Sequence, residues 1–165
     1  MSERAAKFLL SKAQDQDFET ELLDVRDFVG AGVTKGMAQE SATRWQEIAA
    51  RADGFIIVAP EYNNGYPGEL KLWLDQLYPE YANKAVAICG VSAGWGGGIR
   101  VVKQLVMIMH QLKMFPIRNA LYFPSVQDLI SEEGEIGEER YEKNAATMFE
   151  ELVWLAEALK AKRES

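Results

Sequence analysis

A chain of 165 residues with 48% hydrophobic composition suffices for one domain with a sizeable core and is short for two. Its 25 acidic against 18 basic side chains, a formal charge of -7, carry the wrong sign for a general nucleic-acid or anionic-membrane binder, so any polyanionic ligand must be held locally. The single cysteine, Cys89, excludes a disulfide framework, and MSERAAKFLLSKAQ at the start is too charged for a signal peptide or spanning helix, so a cytoplasmic location is expected.

Ser2 as N-cap, with Ala5, Ala6, Leu9, Leu10 and Ala13 at helical spacing, predicts a helix over 3–14. Phe18 to Val25 reads as a strand, Gly30, Gly32 and Gly36 as a loop, and 40–52 as a helix with Trp45, Ile48 and Ala49 inward. GFIIVAP, closed by Pro60, is the short apolar run of a strand buried on both faces. The alternation continues with a helix from Gly68 to about Tyr78, a strand at Ala85 to Cys89, a helix from about Gly98 to Leu112 and an extended stretch from Pro116 to Phe123. After the acidic, solvated run EEGEIGEER, a last helix from Glu138 to about Lys162 carries Tyr141, Ala145, Met148, Leu152, Leu155, Ala156 and Leu159 at spacings of three and four. Strands alternating with helices of these lengths imply an α/β domain spanning 1–165, a parallel sheet covered on both sides.

Ligands of such sheets sit beyond the carboxyl ends of the strands, which singles out two loops: PEYNNGYPGE and GVSAGWGGG. Gly90, Val91, Ser92, Ala93 and Gly94 also spell G-x-S-x-G, the elbow of a serine hydrolase, which requires a later acid and histidine. The only histidine, His110, falls near the far end of the helix leaving this loop, roughly 18 Å from its start, too far for proton transfer. The alternative is a cofactor loop. Four glycines in the five positions Gly94 to Gly98 let backbone N–H groups approach a flat ligand, although a glycine cluster alone also suits a plain turn.

Pro60, Glu61, Tyr62 and Asn63, followed by Pro67, Gly68, Leu70 and Lys71, resemble the signature of the NADPH-dependent FMN reductase family. The glycine turn leading to Arg100 and the phrase LKMFPIRNALYF continue the likeness in order, over nearly the whole chain. The resemblance implies a flavodoxin-like, doubly wound parallel sheet of order 2-1-3-4-5. It implies FMN held by Pro60, Glu61, Tyr62 and Asn63 from one loop and by Ser92, Ala93, Gly94 and Trp95 from the other. NADPH would pass a hydride to flavin N5 for delivery to a quinone, azo compound, metal oxyanion or free flavin, with no catalytic side-chain acid or base and no metal. A homodimer or homotetramer is implied as well. Tyr66 could border the site or simply pack, Glu61 could position a turn or meet an arginine of a second subunit, and Lys71, Arg100 and Lys103 read as solvated helix charges.

One departure is large. Relatives open with a central strand and a phosphate-gripping loop, whereas this sequence begins at the following helix. Loss of a strand between the Phe18 and Phe55 strands opens a gap of nearly 10 Å or forces those two together, and either outcome exposes an edge. A natural loss and a longer true protein are both compatible with this beginning. A flavodoxin-type electron carrier and a flavin-free relative acting as an interaction module are the rival readings. A smaller departure is Asn64, where relatives carry histidine or a small residue.

Overall fold

The computed structural model describes residues 1–15, 19–28 and 39–165. The elements along them are α1 (Ser2–Gln14), a 3-10 turn (Val25–Asp27), α2 (Gln39–Arg51), β1 (Gly54–Pro60), α3 (Gly68–Leu74), a second 3-10 turn (Pro79–Tyr81), β2 (Ala85–Val91), α4 (Ile99–Gln111), β3 (Phe115–Pro116), β4 (Leu121–Phe123), α5 (Val126–Leu129) and α6 (Glu139–Arg163). None of the described helices is long and apolar enough to cross a membrane.

β2 organises the sheet. It pairs in parallel with β1 from Gly54 opposite Ala85 to Pro60 opposite Val91, and its other edge takes β3 and then β4, also in parallel. The extended stretch expected at Pro116 to Phe123 is therefore interrupted. Residues 117–120 lie between the two paired stretches, and the Glu151 carboxylate on α6 accepts the N–H groups of Arg118 and Asn119 at 3.0 and 2.9 Å, which satisfies those two donors where the ladder breaks.

Side chains of β2 alternate between two cores. Ala85, Ala87, Cys89 and Val91 meet α1 and α6 through Phe8, Leu9, Met148 and Phe149. Val86 and Ile88 face α2, α3 and α4 through Trp45, Trp73, Val101 and Leu105. A strand buried on both faces must be apolar throughout, which is why β1 and β2 read as continuous runs rather than alternating ones. This is an open parallel sheet with helices on both faces, a flavodoxin-like arrangement in which β1, β2 and the β3–β4 edge correspond to the adjacent strands 3-4-5 of the expected order.

The strand expected at Phe18 to Val25 is not found among its described residues. Residues 19–24 enter no strand ladder among the described residues, and Val25–Asp27 forms a turn capped by the Asp24 side chain, which accepts the Arg26 N–H at 2.9 Å. Leu23, Val25 and Phe28 turn their apolar surface onto the Trp45 and Trp73 side of the sheet, so packing rather than a ladder anchors the segment. Among the described residues nothing pairs with the edge of β1 remote from β2. Phe18 and the loop of Gly30, Gly32 and Gly36 lie outside the described residues. Two smaller expectations also change. Met1, not Ser2, occupies the N-cap of α1 and makes no side-chain capping bond. Helix α3 stops at Leu74 because Gln76 folds back to the Trp73 carbonyl and Pro79 then opens a separate turn.

Lys84, only 5% exposed, closes the C-terminus of α2: its ammonium donates to the carbonyls of Ala49 at 2.6 Å and Ala50 at 2.9 Å. Burial, aided by the nearby Arg163 charge, pushes its pKa down to about 8. The folded protein thus holds fewer protons here than the unfolded chain between about pH 8 and 10.5, so stability from this site rises with pH across that window and is lost as pH falls through 8. Urea unfolding of the wild type and Lys84→Met at pH 7.5 and pH 10 should show the wild type gaining on the variant at the higher pH. A constant difference would contradict the assignment.

Candidate functional site

Because β1 and β2 are parallel neighbours in register, the loops after them, 61–67 and 92–98, open side by side at the carboxyl edge of the sheet. The pairing runs one residue past the strands, where the Glu61 N–H donates to the Val91 carbonyl at 2.8 Å. Tyr62 and Gly65 then exchange backbone hydrogen bonds of 2.9 and 3.0 Å around Asn63 and Asn64, with φ of 50° and 68°. Both central residues are left-handed, a turn that asparagine tolerates better than most side chains, which gives Asn64 a structural reason of its own. The Gln104 amide on α4 fastens this turn by donating to the Asn64 carbonyl at 2.7 Å.

The glycines of the second loop divide into two pairs. Gly97 and Gly98 have φ of 61° and 82°, and a Cβ on Gly98 would lie 2.5 Å from the Val91 nitrogen and 2.7 Å from the Gly90 Cα. They let the chain fold back hard against β2 before entering α4. Gly94 and Gly96 touch nothing within 4 Å of a Cβ position and face open space. Only this second pair fits the ligand role expected of the whole cluster.

The polar groups of residues 92–96 are sorted by direction. The carbonyls of Ser92 and Gly94 accept from the N–H groups of Val126 and Ser125 at 3.2 and 3.0 Å, and the Ala93 carbonyl accepts from the Gln127 amide at 3.2 Å. Among the described residues, the N–H groups of Ala93, Gly94, Trp95 and Gly96 have no protein acceptor. The loop therefore turns its acceptors toward the 125–127 segment and leaves a row of donors uncommitted on an exposed stretch. An electron-rich planar edge such as that of a flavin fits such a donor row. Residues 125–127 were not singled out from sequence, although Ser125 ahead of a short helical pattern is a recognisable turn signal.

The predicted residues are thus brought together, with distinct placements. Pro60 ends β1 opposite Val91, and Tyr62 and Asn63 stand exposed on the tight turn. Ala93, Gly94 and Trp95 lie on the donor row, with Trp95 88% and Tyr62 61% exposed. Ser92 sits at the base: its N–H donates to the Phe123 carbonyl at 3.0 Å and its hydroxyl to the Gly94 carbonyl at 2.7 Å. That bond, with His110 exposed in the last turn of α4, leaves no nucleophile and base pair. Tyr66 packs against the α2–α4 core, and Lys71 pairs with Asp75. Burial in the core on β2 raises the pKa of the Cys89 thiol to about 12, which suits inert core.

Arg100 is not a free solvated charge. Its guanidinium donates to Glu61 Oε1 at 3.0 Å, while Glu61 Oε2 accepts the backbone N–H groups of Arg100 at 3.0 Å and Val101 at 3.4 Å. The Glu61 side chain is 10% exposed against 55% for Arg100. Burial pushes the Glu61 carboxyl upward, but the Arg100 guanidinium and the two N–H groups outweigh it and hold the pKa below the ordinary value. Of the two roles open to Glu61, positioning a turn or meeting an arginine of a second subunit, the contact seen is with Arg100 of its own chain.

An NAD(P)H-dependent FMN reductase of Schizosaccharomyces pombe is 36% identical over 126 residues, 75% of this chain and 62% of that protein. An NADPH azoreductase of a Bacillus species is 33% identical over 102 residues, 61% of this chain and 55% of that one. The chain thus spans little more than half of the length of the curated relatives it matches. FerB from Paracoccus denitrificans, a flavoenzyme NAD(P)H:(acceptor) oxidoreductase, superposes with a TM-score of 0.78 over 95% of this chain and 90% of its own at 20% identity, a likeness of fold. The model of the NADPH-dependent FMN reductase family matches residues 1–128, and the chain belongs to that family.

Proposed function

We propose that this chain, folding as one domain, is an FMN-dependent NAD(P)H oxidoreductase. The observation that carries the reading is the row of uncommitted N–H groups at Ala93–Gly96, standing beside the Tyr62–Gly65 turn at the carboxyl edge of β1 and β2. Bound FMN would supply the redox chemistry, accepting a hydride from NADPH and passing it to an acceptor. The chain's own part is binding and orientation. The four N–H groups offer hydrogen bonds to the heteroatom edge of the ring, and because the carbonyls of Ser92, Ala93 and Gly94 are tied down behind the first three, those donors need little reorganisation when charge builds on that edge. Pro60 and Asn63 set the neighbouring wall, and the exposed rings of Tyr62 and Trp95 give a planar nicotinamide or acceptor a surface to stack on. No side chain is required to hold or move a proton. A quinone or azo compound is the acceptor class this open, aromatic-rimmed edge suits.

The test is to titrate FMN against the purified chain by flavin fluorescence, then to follow NADPH consumption with a quinone. Quenching with turnover supports the proposal, quenching without turnover indicates an electron carrier, and neither overturns it. Gly94→Val sharpens the result. The site has no neighbour to clash with, so the melting temperature should stay within about 2 °C of wild type, while FMN affinity falls about tenfold or more because a side chain now stands on the donor row. Unchanged affinity would place the ring elsewhere.

A further inference from the structure

Helix α4 starts without a cap of its own. Its N-cap is Gly98, which has no side chain and can have none, since a Cβ there would meet the backbone of Val91 and Gly90. The first N–H groups of a helix still need partners, and glycine, although tolerated at this position, supplies no side-chain acceptor. Three of them can be traced in full. The Ile99 N–H donates to the Gly96 carbonyl at 3.2 Å, and those of Arg100 and Val101 both donate to Glu61 Oε2, 39 and 40 positions back in the chain. The Val102 N–H then makes the first regular helical bond, to Gly98, at 3.2 Å.

We propose that Glu61 is the missing cap of α4, supplied from the opposite loop, and that its work is to position the glycine loop rather than to touch the ligand. The proposal rests on the flavin reading of that loop. With the carboxylate facing α4, the side chain is spent on the helix, and only the backbone of Glu61 borders the site. The carboxylate fixes where α4 begins, and only Gly97 and Gly98 separate that point from the donor row, so one side chain helps to set the spacing between the two loops. It also places a negative charge at the positive end of the helix dipole. The Arg100 guanidinium, more than half exposed, adds an ion pair of small worth on the outside. The backbone cap, not the ion pair, is the positioning element.

The experiment compares Glu61→Ala, Glu61→Gln and Arg100→Met with the wild-type chain by amide hydrogen exchange over 92–104 and by FMN titration. Glutamine keeps one oxygen able to accept the two N–H groups, and Arg100→Met leaves the cap intact. Both should keep the Arg100 and Val101 positions protected and bind FMN within about threefold of wild type. Glu61→Ala should lose that protection and bind at least about fivefold more weakly. A loss of equal size in all three variants would assign the role to the ion pair, and wild-type protection in Glu61→Ala would remove the cap; either overturns the proposal. Wild-type protein that ignores FMN would instead defeat the flavin reading and the positioning claim with it, while the exchange pattern would still decide the cap.

Discussion

Gly98→Ala is expected to destabilise the protein by about 3 kcal/mol or more, lowering its melting temperature by roughly 6–12 °C. The two sources are separate. A left-handed backbone costs an alanine about 1–2 kcal/mol. The rest comes from overlap, since the new methyl would sit 2.5 Å from the Val91 nitrogen and 2.7 Å from two backbone atoms of Gly90. Neither neighbour can yield cheaply, because both lie in β2, which is paired on each edge and buried on each face. Any relief must come from the loop, which then lifts from the sheet and carries the donor row with it. Calorimetry of Gly98→Ala beside Gly94→Ala checks the contrast: the second substitution meets nothing and should be nearly silent. Melting of Gly98→Ala within 2 °C of wild type would refute the close approach.

Trp45→Ala is expected to cost about 3–5 kcal/mol, a large share of the roughly 5–15 kcal/mol that holds a domain of this kind together. Trp45 is 1% exposed and stacks on Trp73 with ring centroids 4.1 Å apart. Phe28, Phe55 and Tyr81 approach its ring at 6.5, 6.1 and 6.1 Å, so the cavity left by alanine is walled by rigid rings that cannot collapse into it. The indole N–H also donates to the buried Tyr81 hydroxyl at 3.2 Å, which the variant would leave without that partner. Urea unfolding measures the loss directly, and a change below 1 kcal/mol would show that this aromatic cluster is not part of the cooperative core. Trp154, 71% exposed on α6, serves as the control and should tolerate alanine with little effect.

The same physics explains what could be read in advance. β1 matched GFIIVAP residue for residue, and α6 ran one position past the expected end, because a buried strand and a long amphipathic helix each write their environment into the order of apolar residues. Phe18 to Val25 failed for the converse reason. Leu22, Leu23 and Val25 carry strand-like residue types, but a strand exists only with a neighbour to pair with, and residue type does not supply one. The Glu61 contact was half legible: an arginine partner was one of two roles open to it, yet nothing local says that the carboxylate reaches the first N–H groups of the helix opening after Gly98.

The amino-acid order alone therefore determined the parallel α/β architecture, the strands that carry the site, and the two loops placed at their carboxyl ends, since each follows from spacing within a few residues. Only the tertiary structure decided that Gly97 and Gly98 serve the fold while Gly94 and Gly96 stay open, that the 125–127 segment holds the loop's carbonyls, and that Glu61 turns toward α4. The last two depend on groups some 30 to 40 positions apart meeting at about 3 Å, and the first on the loop folding back onto its own strand; periodicity records which face a residue presents but not what it will find there.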